Sequence, residues 1–208
     1  MYGLTVRFER CPDGVELVKP SEVPLFRYRT ERREFDRREF LNLENPVFID
    51  FINATDHEHL REFFDRFGVM FRHAFSLLHP GTIPLDDALS YQSEFREYLR
   101  LTDGDDRGAA MAALNEGLSD HPDFNLRPLM HLAGSQAKPR LILHSTSMFS
   151  FMLMEVAMAV AHDARLATCE RCSTSFLTGP LTGRRAHAVY CSDRCRVAAM
   201  RARKAANS

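Results

Sequence analysis

No stretch of this 208-residue chain is long and apolar enough to read as a membrane span. The most apolar segment, 148–161, is too short for a bilayer and carries Glu155. Gly-x-Gly-x-x-Gly and Walker-type patterns are both missing, which removes the usual phosphate-cradling turns. His144 stands beside Ser145 and Ser147, but without the sharp Gly-x-Ser-x-Gly elbow of a hydrolase. Met1-Tyr2-Gly3-Leu4 opens no apolar secretory segment, so a reducing, cytoplasmic setting is expected. Internal repeats and low-complexity runs are absent too. What remains is a folded protein with 45% hydrophobic and 26% charged residues, long enough for one medium domain and a small module.

Net charge is also nearly missing, at -1, but that figure hides a division. Residues 165–208 hold nine Arg or Lys against Glu170 and Asp193, a net +7. The preceding 164 residues hold 18 basic and 26 acidic side chains, a net -8. Such asymmetry points to an anionic partner for the basic part; a solvated cationic tail is the plainer alternative.

Patterning along the first 164 residues predicts a mostly α, α+β domain edged by a small β-hairpin. Leu4 to Phe8 and Val15 to Val18 alternate apolar and polar around Cys11-Pro-Asp-Gly14, whose Pro and Gly supply turn chemistry. Dense charge over 26–43, with Glu34 and Arg38 at i,i+4, predicts an exposed helix ended by Asn45-Pro46. Thr55 and Glu58 form a capping-box pattern ahead of Leu60, Phe63, Phe64, Phe67 and Phe71, one continuous apolar stripe. Gly68 is placed to stop that helix early. Such stripes are usually plain core. A further helix is predicted over 86–101 with Leu85, Leu89, Phe95 and Leu99 inward, then a loop over 103–108 and a helix over 109–118. Two strands are expected over 125–132 and 140–144. Ser145-Thr-Ser147 offers N-cap oxygens to a helix over 148–163, apolar nearly all round and therefore expected at the domain's centre.

Cysteine chemistry is concentrated at the other end. Cys169 and Cys172 are spaced Cys-x2-Cys, and after 18 residues Cys191 and Cys195 are spaced Cys-x3-Cys. Four soft thiolates in two close pairs meet the demand of a tetrahedral Zn2+ ion in a closed, structural site. Two disulfides would need an oxidising compartment, and a redox Cys-x-x-Cys normally opens a helix beside a βαβ pattern. His187, four residues before Cys191, is a competing ligand, although four sulfurs already close the site. Cys11 has no nearby partner and reads as an ordinary reduced thiol. Phe176 follows the first pair as a hydrophobic plug, and Ser192 or Asp193 can cap a helix that begins at the second. Hairpin then helix makes a treble-clef-like finger over 165–208, distinct from the 1–164 domain.

Beyond the last cysteine the chain is rich in Ala, Arg and Lys, which favours helix. Arg196, Arg203 and Met200 share one side of it, while Arg201 and Lys204 lie near another. Together with Arg184 and Arg185 in the loop between the Cys pairs, and with Arg194, these cations are candidate phosphate contacts. DNA is the expected partner; RNA stays open as a nucleic-acid alternative, although the tail has few aromatic residues for base stacking. The rival class is a protein-interaction or dimerisation module in which zinc serves only stability. Elsewhere, His57-Glu-His59 lies two residues apart on a predicted helix, where the rings diverge and do not chelate one ion. Asp86-Asp87 and the acidic 103–106 segment are not placed like catalytic pairs, so no enzyme is expected.

The order of these features resembles the CGNR zinc-finger family, whose members pair an ABATE-type N-terminal domain with a C-terminal finger. The resemblance is carried by Leu166-Ala-Thr-Cys-Glu-Arg-Cys172, Phe176, Arg184-Arg185, Tyr190-Cys191-Ser192, Cys195 and the basic helix. Asp50-Phe-Ile-Asn53 is similar to the aliphatic-Asn element that opens the ABATE region. Cys195-Arg196-Val197-Ala198 stands where the family has Cys-Gly-Asn-Arg. The resemblance implies a DNA-binding regulator of transcription.

Overall fold

The computed structural model describes residues 3–19, 23–40, 42–69, 82–102, 107–120, 126–131, 140–145 and 147–206. In chain order come β1 (Gly3–Arg10), β2 (Val15–Val18), β3 (Leu25–Tyr28) and β4 (Glu34–Phe40). Next are α1 (Val47–Ile52), α2 (His57–Phe67), β5 (Thr82–Pro84), α3 (Leu85–Thr102) and α4 (Arg107–Asp120). The rest is β6 (Arg127–His131), β7 (Arg140–Ser145), α5 (Met148–Ala161), β8 (Arg165–Thr168), β9 (Ser175–Thr178) and α6 (Asp193–Ala206). The fold is therefore mixed α/β, with three sheets among the described residues, and not mostly α as patterning suggested.

Four strands run β4-β1-β7-β6, with β1 parallel to β7 and the other pairs antiparallel. A second sheet runs β2-β3-β5, and β8 pairs with β9. The predicted strands at 4–8 and 15–18 form but do not make a hairpin with each other. Both edges of β1 are already taken, by β4 and β7. The turn between them closes with Gly14 N–H on Cys11 O, 3.0 Å, and Gly14 at φ 85° sends the chain off to β3 instead. The helix expected over 26–43 is likewise replaced, by β3 and β4. Leu25, Phe26 and Tyr28 are buried while Arg27 is exposed, and the charges of β4 pair along an edge strand, as in Arg10–Glu34 at 3.2 Å and Arg37–Glu39 at 2.7 Å. Charged side chains on an edge discourage further strand pairing.

The helices hold closer to expectation. In α2, Leu60, Phe63, Phe64 and Phe67 are all buried; Phe71 lies outside the described residues. The cap is Asp56, not Thr55: its Oδ1 accepts from His59 N–H at 2.9 Å, while Glu58 turns to Arg61. Gly68 ends the helix at φ 75°, where a Cβ would collide with the Glu9 carbonyl oxygen. Along α3 the inward stripe is Ala88, Tyr91, Phe95 and Leu99; Leu89 is exposed because it falls between turns of that stripe. Arg107 and Gly108 are already helical, and the remainder of the predicted 103–108 loop lies outside the described residues.

Helix α5 is buried at Met148, Phe149, Phe151, Met152, Leu153 and Val156, with Ser147 accepting from Ser150 N–H at its start. Its one acidic residue, Glu155, is also buried and accepts a hydrogen bond from Phe48 N–H, 3.1 Å, at the start of α1. The six-residue α1 has no side-chain cap of its own, so a carboxyl from a distant helix supplies one. At the other end Gln92 Nε2 donates to Phe51 O and Ala54 O, and Arg96 donates to Ile52 O.

Burial pushes the Glu155 carboxyl up to about 8, against the opposing pull of the Phe48 amide and the Arg38 charge. An unfolded glutamate titrates near 4.3. The stabilising contribution of the neutral group is thus complete below that value and is lost as pH rises through about 8. Urea unfolding at about pH 6 and about pH 8.5 should show the native protein losing on the order of 2–3 kcal/mol relative to Glu155→Gln, which keeps an acceptor but cannot ionise. Parallel losses in both proteins would show that Glu155 does not set the pH dependence.

Candidate metal centre

The two cysteine pairs, distant in sequence, converge. All four sulfur atoms of Cys169, Cys172, Cys191 and Cys195 lie within 4.8 Å of one another. Three of the separations are 3.6 Å (Cys172–Cys191), 3.7 Å (Cys191–Cys195) and 3.7 Å (Cys195–Cys172). A Zn–S bond of about 2.3 Å in a tetrahedron sets sulfur atoms about 3.8 Å apart. None of the four is in a disulfide. The cluster is thus suited to a metal ion such as zinc.

Local backbone builds the site. After β8 the chain turns tightly, with Ser173 N–H on Cys169 O at 2.9 Å and Cys169 N–H on Thr174 O at 3.0 Å. Ser173 takes a left-handed φ of 59° to make that knuckle. The second pair is brought in by Glu170 N–H on Val189 O, 3.1 Å, and by Arg184, whose Nε donates to Cys191 O at 3.1 Å. Ser192 is the cap of α6, its hydroxyl 3.3 Å from Cys195 N. Cys195 follows Cys191 by one turn, so the helix itself delivers the fourth sulfur.

Charge explains why such a set wants a cation. The Thr174 hydroxyl and N–H pull the Cys172 thiol down to about 6. Burial pushes Cys191 up to about 12, and the adjacent Cys172 and Cys195 sulfurs add to the rise. Burial raises Cys169 as well, but N–H groups of Cys191, Arg171 and Cys172 outweigh it and leave the thiol below its usual value. One thiolate forms readily and opposes the next; a divalent ion removes that conflict.

The hairpin that carries the first pair is joined to the rest of the fold by specific contacts. Asn53, just past α1, donates from Nδ2 to Ser175 O and accepts from Ser175 N–H, each at 2.8 Å, the pattern of a strand pairing with β9. Leu43 N–H reaches Leu181 O at 2.9 Å, and Arg184 donates to Glu44 O at 3.1 Å. Leu177 is buried in the same cluster as α1 and α5, and Leu166 packs against it. Sequence reading singled out Asn53 by resemblance alone; its partner 122 residues away was not legible. Phe176 is buried as expected of a plug, with the Arg184 guanidinium 5.7 Å over its ring.

The candidate cations are placed differently from one another. Arg184 is half-buried and committed to the carbonyls of Cys191, Glu44 and Thr182. Arg185, Arg194, Arg196, Arg201, Arg203 and Lys204 are exposed. Arg196 pairs with Asp193 at 3.0 Å, and Arg203 donates to the Tyr190 hydroxyl at 2.6 Å. His187 is exposed outside the sulfur cluster, on a cleft of about 880 Å³ that it shares with Arg185, Arg196 and Glu44. Cys11 is buried far from the cluster in sequence, 3.5 Å from the Thr30 hydroxyl.

No protein-family model, curated protein or solved structure matches this chain.

Purified protein should carry one zinc ion per chain by elemental analysis, and Cys191→Ser should lose most of it. Asn53→Ala should keep the metal yet cost about 1–3 kcal/mol through the orphaned Ser175 backbone groups. Faster amide hydrogen exchange in β9 at unchanged zinc content would register that uncoupling.

Proposed function

We propose that this chain is a zinc-finger nucleic-acid-binding protein, most simply a DNA-binding regulator of transcription. Cys169, Cys172, Cys191 and Cys195 would hold a structural Zn2+ ion. Its chemistry is to clamp the hairpin to the start of α6, and the treble-clef-like arrangement follows from that clamp. Kinship with the CGNR fingers belongs to this reading, with Arg196-Val197-Ala198 in place of Gly-Asn-Arg after the last cysteine.

The observation that supports it best is the disposition of α6. The helix starts at the sulfur cluster, has no buried residue, and carries Arg194, Arg196, Arg201, Arg203 and Lys204 in exposed positions. Phosphate recognition needs cations on a rigid element with a fixed origin. A second reading, a protein-interaction module with purely structural zinc, draws on the way Asn53, Leu43 and Glu44 grip the finger. That grip, however, uses the Asn53 amide, Arg184 and backbone groups, and leaves the cations of α6 exposed.

If about five phosphates are neutralised, log K for duplex DNA should fall against log salt with a slope of about -4 to -5. Arg201→Ala with Arg203→Ala should weaken binding and flatten that slope by about 2. Weak, salt-insensitive binding untouched by the double substitution would exclude the DNA reading. Stronger competition by single-stranded RNA than by duplex would reassign the nucleic acid.

A further inference from the structure

Helix α6 presents two unlike sides. Cys195, Ala198 and Ala199 are partly covered and mark the side turned toward the finger. Helical spacing puts Val197, Met200 and Lys204 opposite them, one above another at i, i+3 and i+7, with Asp193 at the head of the same stripe, where its carboxylate pairs with Arg196. Val197 is 37% and Met200 57% exposed, so two sizeable apolar side chains stand in water at the middle of a cationic face. Arg194 and Arg201 run along one flank of this stripe, and Arg196 and Arg203 along the other. Each flanking pair is seven residues apart, about 10 Å along the axis. The flank of Arg196 and Arg203 is also pre-oriented, by Asp193 and the Tyr190 hydroxyl.

An apolar centre with cations on both sides has a specific complement. The major groove of B-DNA, about 12 Å wide, admits a helix; its walls are phosphates and its floor exposes thymine C5-methyl groups. The minor groove, about 6 Å wide, does not admit one. A second copy is a poor occupant, since two such faces would bring Arg194, Arg196, Arg201, Arg203 and Lys204 against the same five cations. Building on the DNA-binding reading above, we propose that the outward face of α6 enters the major groove. Val197 and Met200 then lie against thymine methyls, and the two arginine pairs meet the two phosphate walls. The finger reads A·T content through methyl contact.

The test uses the full chain loaded with zinc and three 24-base-pair duplexes: alternating A·T, the same duplex with uracil in place of thymine, and a G·C duplex. Uracil removes only the major-groove methyl. Fluorescence anisotropy should show the native protein binding the thymine duplex about fivefold to tenfold more tightly than the uracil duplex, the scale of one or two buried methyl groups. Val197→Ala with Met200→Ala, checked for unchanged zinc content, should bind both duplexes alike, near the native affinity for the uracil form. Equal affinity of the native protein for thymine and uracil duplexes, with a normal salt slope, overturns the methyl contact and leaves DNA binding standing. No binding to any duplex overturns both. A shift in sedimentation coefficient on making the double variant assigns the face to a second copy and overturns the proposal too.

Discussion

The mutual placement of the helices depends on how the ends of one short helix are satisfied. Helix α1 has only six residues, too few for its own hydrogen bonds to sustain it, and it is buried at Val47, Phe48, Phe51 and Ile52 while Asp50 stays exposed. Buried helix ends must find partners, because an orphaned amide or carbonyl costs about 1–3 kcal/mol. Glu155 supplies the acceptor at one end; Gln92 and Arg96 supply donors at the other. Those residues come from α5 and α3, so three helices are locked in one mutual arrangement. The carboxyl of Glu155 accordingly belongs to the architecture, although a lone acid in an apolar helix would usually invite a catalytic reading.

Asn53 extends that arrangement to the finger. Its amide behaves as one more residue of a strand beside Ser175, and it sits directly after α1. Leu177 from β9 then enters the core, with Ala164 just before β8. A boundary at residue 164, natural from the change in charge, cuts through this shared packing. The sulfur cluster is thus not hung on a tether: its first cysteine pair lies in the turn of a hairpin whose far strand is fastened to α1. Any change that loosens α1 has a direct mechanical route to Cys169 and Cys172.

What could be read from the amino acids was whatever is decided locally. The Cys pairs converge because each pair is set by a few residues of turn or helix, and the stop at Gly68 follows from a conformation only glycine adopts easily. The stripe of α2 was legible for the same reason. Strand pairing was not. Val6 could have found Leu17 across a hairpin, yet the parallel partner of β1 is β7, more than a hundred residues on. The charged run of β4 satisfies a helical i,i+4 rule and an edge-strand rule equally well, and only its place beside β1 selects the second. Leu89 was misplaced because a helix's inward side is fixed by what it meets, here Phe51 and Phe149 against Phe95. Asn53 and Glu155 were invisible as partners, since each acts over more than a hundred positions.

The charge division takes on a definite meaning in this geometry. Opposite net charges would let the two parts attract each other, but the joint between them is built from Asn53, Ser175, Leu43, Leu181 and the Glu44 carbonyl. Arg184 takes part in that joint, and it donates to backbone oxygens, not to carboxylates. A joint made this way does not weaken with salt as an ionic one would. It also leaves the cations of α6 exposed, with the sulfur cluster at the root of the helix and the hydrogen-bonded hairpin behind it. Stability and external electrostatics are therefore separable in this molecule, and substitutions along the outer face of α6 can change what it binds without disturbing what holds it in place.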